Sequence, residues 1–422
     1  MAETDELPES LIKAAEAHNW PLDLVRQGLA AGMPAALLET AINSGMTPEQ
    51  ARERMLARAQ GGGAAPGAFP PPLDMSWAKA PTQRGMRPKV GPEGLTLAAV
   101  DTESYADVPD HWPYENDTPR GAYVPPDLVA LPASYSIRDK VEVWADNCAD
   151  LYEDAIRNRW ASATAIPWET LAPLPDHIEQ SICQLCTNWS EDAHVGFETI
   201  SKWLEEISYG YHEVKLFLAT QVFDLARHTE TFRKRALANG GSLGVQSPGF
   251  MHRDIASALK FTELVIGLSV VRTSFMLTLL QGYGETLARS EADRELFRLV
   301  GRDLERHLAY GMEHLRYFLL RQPEKRNQVT AWLARAELLM GADLRRNVPS
   351  NEALILLLDD EPRAGMAKFL DLRRAQVEEY LDRLAQVTIT DQRERLPRSL
   401  QYYLEDHAPA NAAAAAPQPQ HG

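Results

Sequence analysis

The chain has 422 residues, and its 43 lysines and arginines stand against 59 aspartates and glutamates, for a formal net charge of −16. This acidic balance excludes the basic stripe with which nucleic-acid binders neutralise phosphates. Apolar residues make up 45% of the chain, which excludes a wholly disordered protein. Three cysteines cannot supply a disulfide framework, and the acidic first residues lack the pattern of a secretory signal. We therefore expect a cytoplasmic protein without a membrane span.

The first 135 residues divide into two segments by composition. Residues 1–59 repeat apolar side chains at helical spacing between Gly-Met turns, which predicts a small helical module. Residues 60–135 are rich in Gly, Pro and aromatic side chains, and predict a linker followed by an extended arm. The arm aromatics need a surface to cover them; they are Trp77, Trp112, Tyr114 and Tyr123.

Long helical periods with few breakers fill residues 136–407 and predict an all-α domain. We expect helices at about 137–164, 174–206, 210–238, 250–286, 290–322, 326–342 and 360–386. Residues 408–422 are rich in Ala, Pro and Gln, which predicts a disordered tail.

One pattern occurs twice in this domain, on two predicted long helices. The sequence Asp-Leu-x-Arg-His spans Asp224 to His228 and again Asp303 to His307. Each copy follows another predicted long helix, which indicates a duplicated helix pair. Two such pairs would form a four-helix bundle with one histidine pointing inward from each half.

These segments resemble the ferritin-like di-iron carboxylate superfamily, which includes the small subunit of ribonucleotide reductase and bacterial di-iron oxygenases. In that family each half supplies a lone Glu and a Glu-x-x-His pair, and the second helix often reads Gln-x-x-Asp-Glu-x-Arg-His. The resemblance covers about residues 140–325 and implies a ferritin-like four-helix bundle with extra helices. The residues kept in the family frame are Gln221, Asp224, Arg227 and His228 in the first half, and Asp303, Arg306 and His307 in the second.

The chain departs from the family at both paired glutamates, where Leu225 and Leu304 stand. Leucine cannot ligate a metal. Counting back from Leu225 reaches Glu191 as the lone glutamate of the first half, with Glu198 as its rival. A similar count in the second half reaches Arg272 and no carboxylate.

Three interpretations of the site remain open. In the first, the metal has been lost, leucines fill its space, and Arg272 offers its charge to Glu191 or Asp303. In the second, Glu191, His228 and His307 form a 2-His-1-carboxylate set around one iron or manganese ion.

The third interpretation is a rebuilt dinuclear site. The i, i+4 pairs Asp224/His228 and Asp303/His307 would contribute to it, together with His194 from an intact Glu-x-x-His sequence that begins at Glu191. The resemblance instead gives Asp224 and Asp303 the role of orienting the histidines from outside the metal's own ligands.

Two functions follow from these interpretations. The leading expectation is a partner subunit of an oxygenase-type complex, non-catalytic or weakly metallated, with either no metal or one iron or manganese ion. Such a subunit requires a protein partner or a second copy of the chain. The alternative is an O2-dependent oxidase or oxygenase, in which Leu225, Leu304 and Phe275 line a pocket for a small apolar substrate.

Overall fold

The computed structural model describes residues 7–30, 33, 35–43, 47, 50, 75–114, 117–125 and 135–405. The chain divides into two compact units, Met1–Ala80 and Pro81–Gly422. The predicted Gly-rich linker at 60–74 and the predicted tail at 408–422 lie outside the described residues. In the first unit, helices α1 (Glu9–Ala17), α2 (Leu22–Ala30) and α3 (Ala35–Asn43) surround a small apolar core.

Helices also build the second unit, in which the described residues form isolated β-bridges and no strands. The all-α prediction is therefore confirmed. The helices are α4 (Leu97–Val100), α5 (Cys148–Arg157), α6 (Ser162–Ala165), α7 (Asp176–Leu204), α8 (His212–Ala238), α9 (Phe250–Ala256), α10 (Phe261–Leu287), α11 (Glu291–Arg321), α12 (Arg326–Arg346), α13 (Val348–Leu358), α14 (Pro362–Gln386), α15 (Gln392–Arg395) and α16 (Arg398–Leu404).

Four long helices form the bundle predicted from the duplicated motif. Helix α7 packs along α8, α10 packs along α11, and the two pairs meet where α8 contacts α11. Helix α11 begins at a cap, because the Ser290 hydroxyl accepts a hydrogen bond from the Asp293 amide. Helices α12, α13 and α14 then cover one side of the bundle through contacts with α7 and α10.

Helix α10 contains a π-helical stretch at Ile266–Arg272. The helix is long and apolar enough to cross a membrane, but 83% of its most apolar window is buried inside the protein. We read it as a core helix, since burial against other helices accounts for its composition. The π-helical stretch ends at Arg272, which it directs into the bundle.

The helix predictions are wrong at three places. Residues 137–147 are not helical along their length, because Ile137 pairs with Ile207 and Asp139 pairs with His111 through isolated bridges. The helix predicted at 250–286 breaks at residues 257–260, where Lys260 has extended backbone angles. Helix α13 was missed; its cap is Asn347, whose side chain accepts a hydrogen bond from the Ser350 amide.

The aromatic arm is bound to the helical unit through main-chain and ionic contacts. The amide of Trp112 donates to the Arg138 carbonyl at 2.7 Å, and its indole lies against Gly210, where a Cβ would clash with the ring. Arg120 pairs with buried Glu213. Trp112 is buried as expected, whereas Tyr114 and Tyr123 are 37% and 44% exposed. The side chain of Trp77 lies outside the described part of the chain.

A buried carboxyl joins α12 to the helices that follow it. Glu337 is fully buried, accepts a hydrogen bond from the Tyr380 hydroxyl at 2.6 Å and receives the Gln392 amide at 2.9 Å. Burial raises the pKa of Glu337 from 4.5 to about 7, although both hydrogen bonds lower it. The protonated form of this carboxyl therefore favours folding.

Replacement of Glu337 by Gln should make the protein less sensitive to alkaline pH. A pKa raised in the folded state gives stability that is full below pH 4.5 and is lost as pH rises through 7. The loss is about 3 kcal/mol. Denaturant unfolding at pH 4.5 and pH 8 should show the Glu337→Gln variant gaining about this amount over wild type. A difference between the two proteins that stays constant with pH would contradict this assignment.

A buried ion network at the candidate metal centre

The duplicated motif places six polar side chains in the middle of the bundle. Spacings of three and four residues put the Asp, Arg and His of each copy on one face of its helix. All six side chains are buried. We call them the ion network: Asp224, Arg227 and His228 on α8, and Asp303, Arg306 and His307 on α11.

Each aspartate of the network holds the histidine of the opposite helix. His228 Nε2 lies 3.0 Å from Asp303 Oδ2, and His307 Nε2 lies 3.3 Å from Asp224 Oδ2. Because an ionised carboxylate only accepts hydrogen bonds, these contacts place the ring proton of each histidine on Nε2. Each aspartate was expected to orient a histidine. In the structure each aspartate contacts the histidine of the opposite helix, and these crossed contacts join the two halves of the bundle.

The two arginines bridge both aspartates. Arg227 Nη2 lies 2.7 Å from Asp303 Oδ2 and also contacts Asp224, while Arg306 Nη2 lies 3.1 Å from Asp224 Oδ2 and also contacts Asp303. Trp160 closes this side of the network. Its indole nitrogen donates to Asp303 at 2.8 Å, and its ring lies 4.3 Å from the Arg227 guanidinium. Two carboxylates face two guanidiniums, so the network is neutral when its histidines are neutral.

The ionisation of the network follows from these contacts. Burial by itself would raise the pKa of Asp303, but the His228 hydrogen bond and the charges of Arg227 and Arg306 hold that pKa far below its usual range. Burial also lowers the pKa of His307, against the hydrogen bond that it donates to Asp224, which raises that pKa. The lowered pKa of Asp303 favours its charged form, which the arginines bind. The lowered pKa of His307 favours a neutral imidazole.

Leucines and an arginine occupy the interior on the other side of the histidines. A cavity of only about 30 Å³ lies there, lined among others by Leu225, His228, Leu304 and Arg272. A Cβ on Gly196 would lie 3.1 Å from Leu225 Cδ1 and 3.4 Å from Arg272 Nη2. A guanidinium therefore lies beside Leu225, at the first position where the family carries a ligand.

Arg272 is buried and donates to the main-chain oxygen of Asp192. It was expected to pair with Glu191 or Asp303, and the structure gives it neither partner. Burial lowers the pKa of Arg272, while the nearby charge of Asp192 raises it. A fixed positive charge at this place opposes the binding of a second cation.

Glu191 does not converge with the histidines. Its carboxylate accepts the Ser247 amide at 3.0 Å, and the residues of α7 that line the cavity at His228 are Trp189, Asp192 and Ala193. Counting along the sequence does not fix which residue of a helix faces inward, because one residue turns a helix by about 100°. Among the described residues, Glu191, His228 and His307 do not bring ligand atoms within 4.8 Å of one another.

The other predicted site residues are placed as follows. His194 and Glu198 form a pair on the outer surface of α7, at 3.3 Å, with about half of each side chain exposed. They do not face the bundle interior. Leu225 and Leu304 share the small cavity with His228, whereas Phe275 lines a different cavity on the far side of Arg272. The predicted apolar pocket is therefore not a single space.

One carboxylate–histidine cluster was missed by sequence reasoning. Asp101, His212 and Glu213 bring ligand-type atoms within 4.8 Å of one another. Arg120 already forms ion pairs with both carboxylates, so the cluster is balanced by a guanidinium and anchors the arm to α8. No spacing could reveal it, because Asp101 and His212 are 111 residues apart.

Neither a family model nor a curated protein matches the chain. Among solved structures, it is similar to an R2-like ligand-binding oxidase with aerobically reconstituted Mn/Fe cofactor (18% identity, TM-score 0.38, 58% of this chain and 93% of that chain). A mutant of such an oxidase with anaerobically reconstituted Mn/Fe cofactor gives 19% identity and a TM-score of 0.42, over 56% of this chain and 92% of that chain. The names agree with the resemblance in the motifs. A likeness this distant decides nothing about activity, so what the site can do follows from the residues of this chain.

Removing one carboxylate from the ion network should destabilise the protein strongly. Asp303→Asn leaves Arg227, Arg306 and His228 without their shared acceptor, and breaking a buried pair in this way costs about 3–5 kcal/mol. Asp382→Asn is the matched control, because Asp382 is exposed on α14 and should change stability by no more than about 0.5 kcal/mol. Denaturant unfolding measures both, and equal effects of the two substitutions would contradict the network.

Proposed function

We propose that this protein is a non-catalytic, metal-independent member of the oxidase-type ferritin-like proteins, acting as a partner subunit in an oxygenase-type complex. The observation that carries the proposal is the combination of Leu225, Leu304 and buried Arg272 around the inner faces of the two histidines. Oxygen chemistry in this fold needs a metal, and these residues supply apolar groups and a positive charge instead of carboxylates.

Charge balance argues in the same direction. The two aspartates nearest the histidines are already neutralised by Arg227 and Arg306. A third carboxylate, Asp192, lines the cavity, but it lies 2.6 Å from His252 and beside Arg272. A divalent ion would therefore enter a site whose carboxylates already have partners, so its loss of hydration would not be offset. The residues present therefore do not fit the iron or manganese that the resemblance implies.

A partner role is supported by exposed apolar side chains on α8, one of which, Phe223, also has its ring 5.2 Å from the Arg227 guanidinium. Phe223 and Leu237 are 55% and 46% exposed, and they lie fourteen residues apart, which returns to the same side of a helix after about four turns. Trp168 and Leu237 also line a shallow groove with Lys234 and Glu230. An exposed apolar stripe flanked by charges is typical of protein–protein contacts.

Metal content tests the first part of the proposal. Protein expressed in medium supplemented with iron and manganese should contain neither metal at a stoichiometric level by elemental mass spectrometry, and it should not consume oxygen on its own. About one or two tightly held ions per chain would contradict the proposal and favour the mononuclear or the rebuilt dinuclear site.

His228→Gln separates a structural histidine from a ligand. Glutamine can still donate from its side-chain nitrogen to Asp303, but it has no counterpart of the second ring nitrogen that a metal would need. We expect a loss of about 1 kcal/mol in unfolding free energy and unchanged activity of the assembled complex. Loss of that activity in a variant of normal stability would support the enzyme instead.

A further inference from the structure

A second cavity lies on the far side of Arg272 from the ion network. It has a volume of about 120 Å³ and is lined mainly by α7, α10, α12, α13 and α14. Its lining combines apolar and polar side chains. The apolar residues include Phe275, Met276, Leu279, Met340 and Leu354, and the polar residues include Arg373 with the amides around it.

Arg373 is a buried cation without a carboxylate partner among the described residues. Its side chain donates from Nη1 to Gln376 at 2.8 Å and from Nη2 to Asn351 at 2.9 Å, and both acceptors are neutral amides. Its Nε is buried and has no hydrogen-bond partner in the described part of the chain. Burial lowers the pKa of Arg373 to about 10, so the side chain remains charged at neutral pH.

Two aspartates also line the cavity, and both are already engaged elsewhere. Asp192 Oδ1 lies 2.6 Å from His252 Nε2, and Asp343 accepts the amides of Phe250 and Met251 at 3.0 and 2.7 Å. Asp192 partly balances Arg272, which donates to its main-chain oxygen. Arg373 thus forms no ion pair with either aspartate or with any other carboxylate in the described part of the chain.

Burying a guanidinium costs folding free energy when its hydrogen bonds go only to neutral amides. A bound anion would offset this cost. A carboxylate matches the fork of donors on the guanidinium, and the amides of Asn351 and Gln376 hold that fork in place. The apolar part of the lining offers thioethers and an aromatic ring, which favour an apolar tail over a fully hydrated ion.

The volume sets the size of the ligand. A protein cavity of about 150 Å³ accommodates benzene, so 120 Å³ suits a slightly smaller or more slender molecule. We propose that this cavity binds a small monocarboxylate of about four to six carbons, with its carboxylate on Arg373 and its tail against Phe275, Met276 and Leu354. This inference does not depend on the proposed function, because no metal takes part in it.

Thermal unfolding and calorimetry in chelator-containing, low-chloride buffer test the site with butyrate, valerate and hexanoate as probes. At least one acid should bind and raise the melting temperature, whereas 1-butanol and inorganic phosphate should have a much smaller effect. Phosphate binding more tightly than all three acids would overturn the assigned ligand class, and no binding of any acid would overturn the site.

Arg373→Met removes the charge and keeps an apolar side chain of similar length, a replacement that buried ion sites usually tolerate. It should weaken binding of the acids at least tenfold. The matched control is Arg383→Met on the same helix, where Arg383 donates to Ser274 and pairs with Glu379 outside the cavity lining; it should leave binding unchanged. Equal binding in both variants and wild type would overturn the role of Arg373.

Leu354→Trp provides a test that keeps every charge in place. The larger ring should fill the tail end of the cavity and exclude hexanoate more strongly than butyrate. If all three acids still bind as tightly as to wild type, the ligand does not occupy this cavity.

Discussion

Two buried aspartates lie in the centre of the bundle, and their charges must be neutralised. The groups that neutralise them determine how strongly the centre attracts a metal ion. Asp224 and Asp303 each receive an arginine from both halves and a histidine from the opposite half. These ionic hydrogen bonds join α8 to α11. They fix the register of the two helix pairs more closely than apolar packing alone would. Because arginines and histidines already bind these carboxylates, the two aspartates are not free to attract a divalent ion.

The residues beyond the histidines are consistent with the same constraint. With carboxylates at positions 225 and 304, the centre would carry excess negative charge and call for a cation. With Leu225, Leu304 and Arg272 there, the inner space contains apolar groups and one fixed cation, and the carboxylate of Asp192 at its edge is bound by His252. The π-helical stretch at Ile266–Arg272 contributes to this placement, because it ends at the residue whose guanidinium enters the bundle.

Much of the fold and part of the site could be predicted from the sequence. Long helical periods give the bundle, and the repeated Asp-Leu-x-Arg-His gives its two halves, because both are local patterns. The rotation of each helix is not local, and that is why Glu191 was placed inward when Asp192 and Ala193 face the cavity. Other features depend on residues that only packing brings together. They are the crossed contacts of Asp224 and Asp303, the arm anchor at Arg120 and the contact of Arg373 with Asn351. The helix predicted at 137–164 failed for the same reason, since its backbone pairs with distant segments.

The most direct test of this account is a crystal structure grown with excess Mn²⁺ and measured at an X-ray wavelength where manganese gives an anomalous signal. The account predicts no anomalous peak between α8 and α11, Arg272 beside Leu225, and both histidines bonded through Nε2 to the aspartates of the opposite helix. A peak within coordination distance of His228 or His307, with Arg272 turned away, would show that the bundle holds a metal and would contradict the central claim.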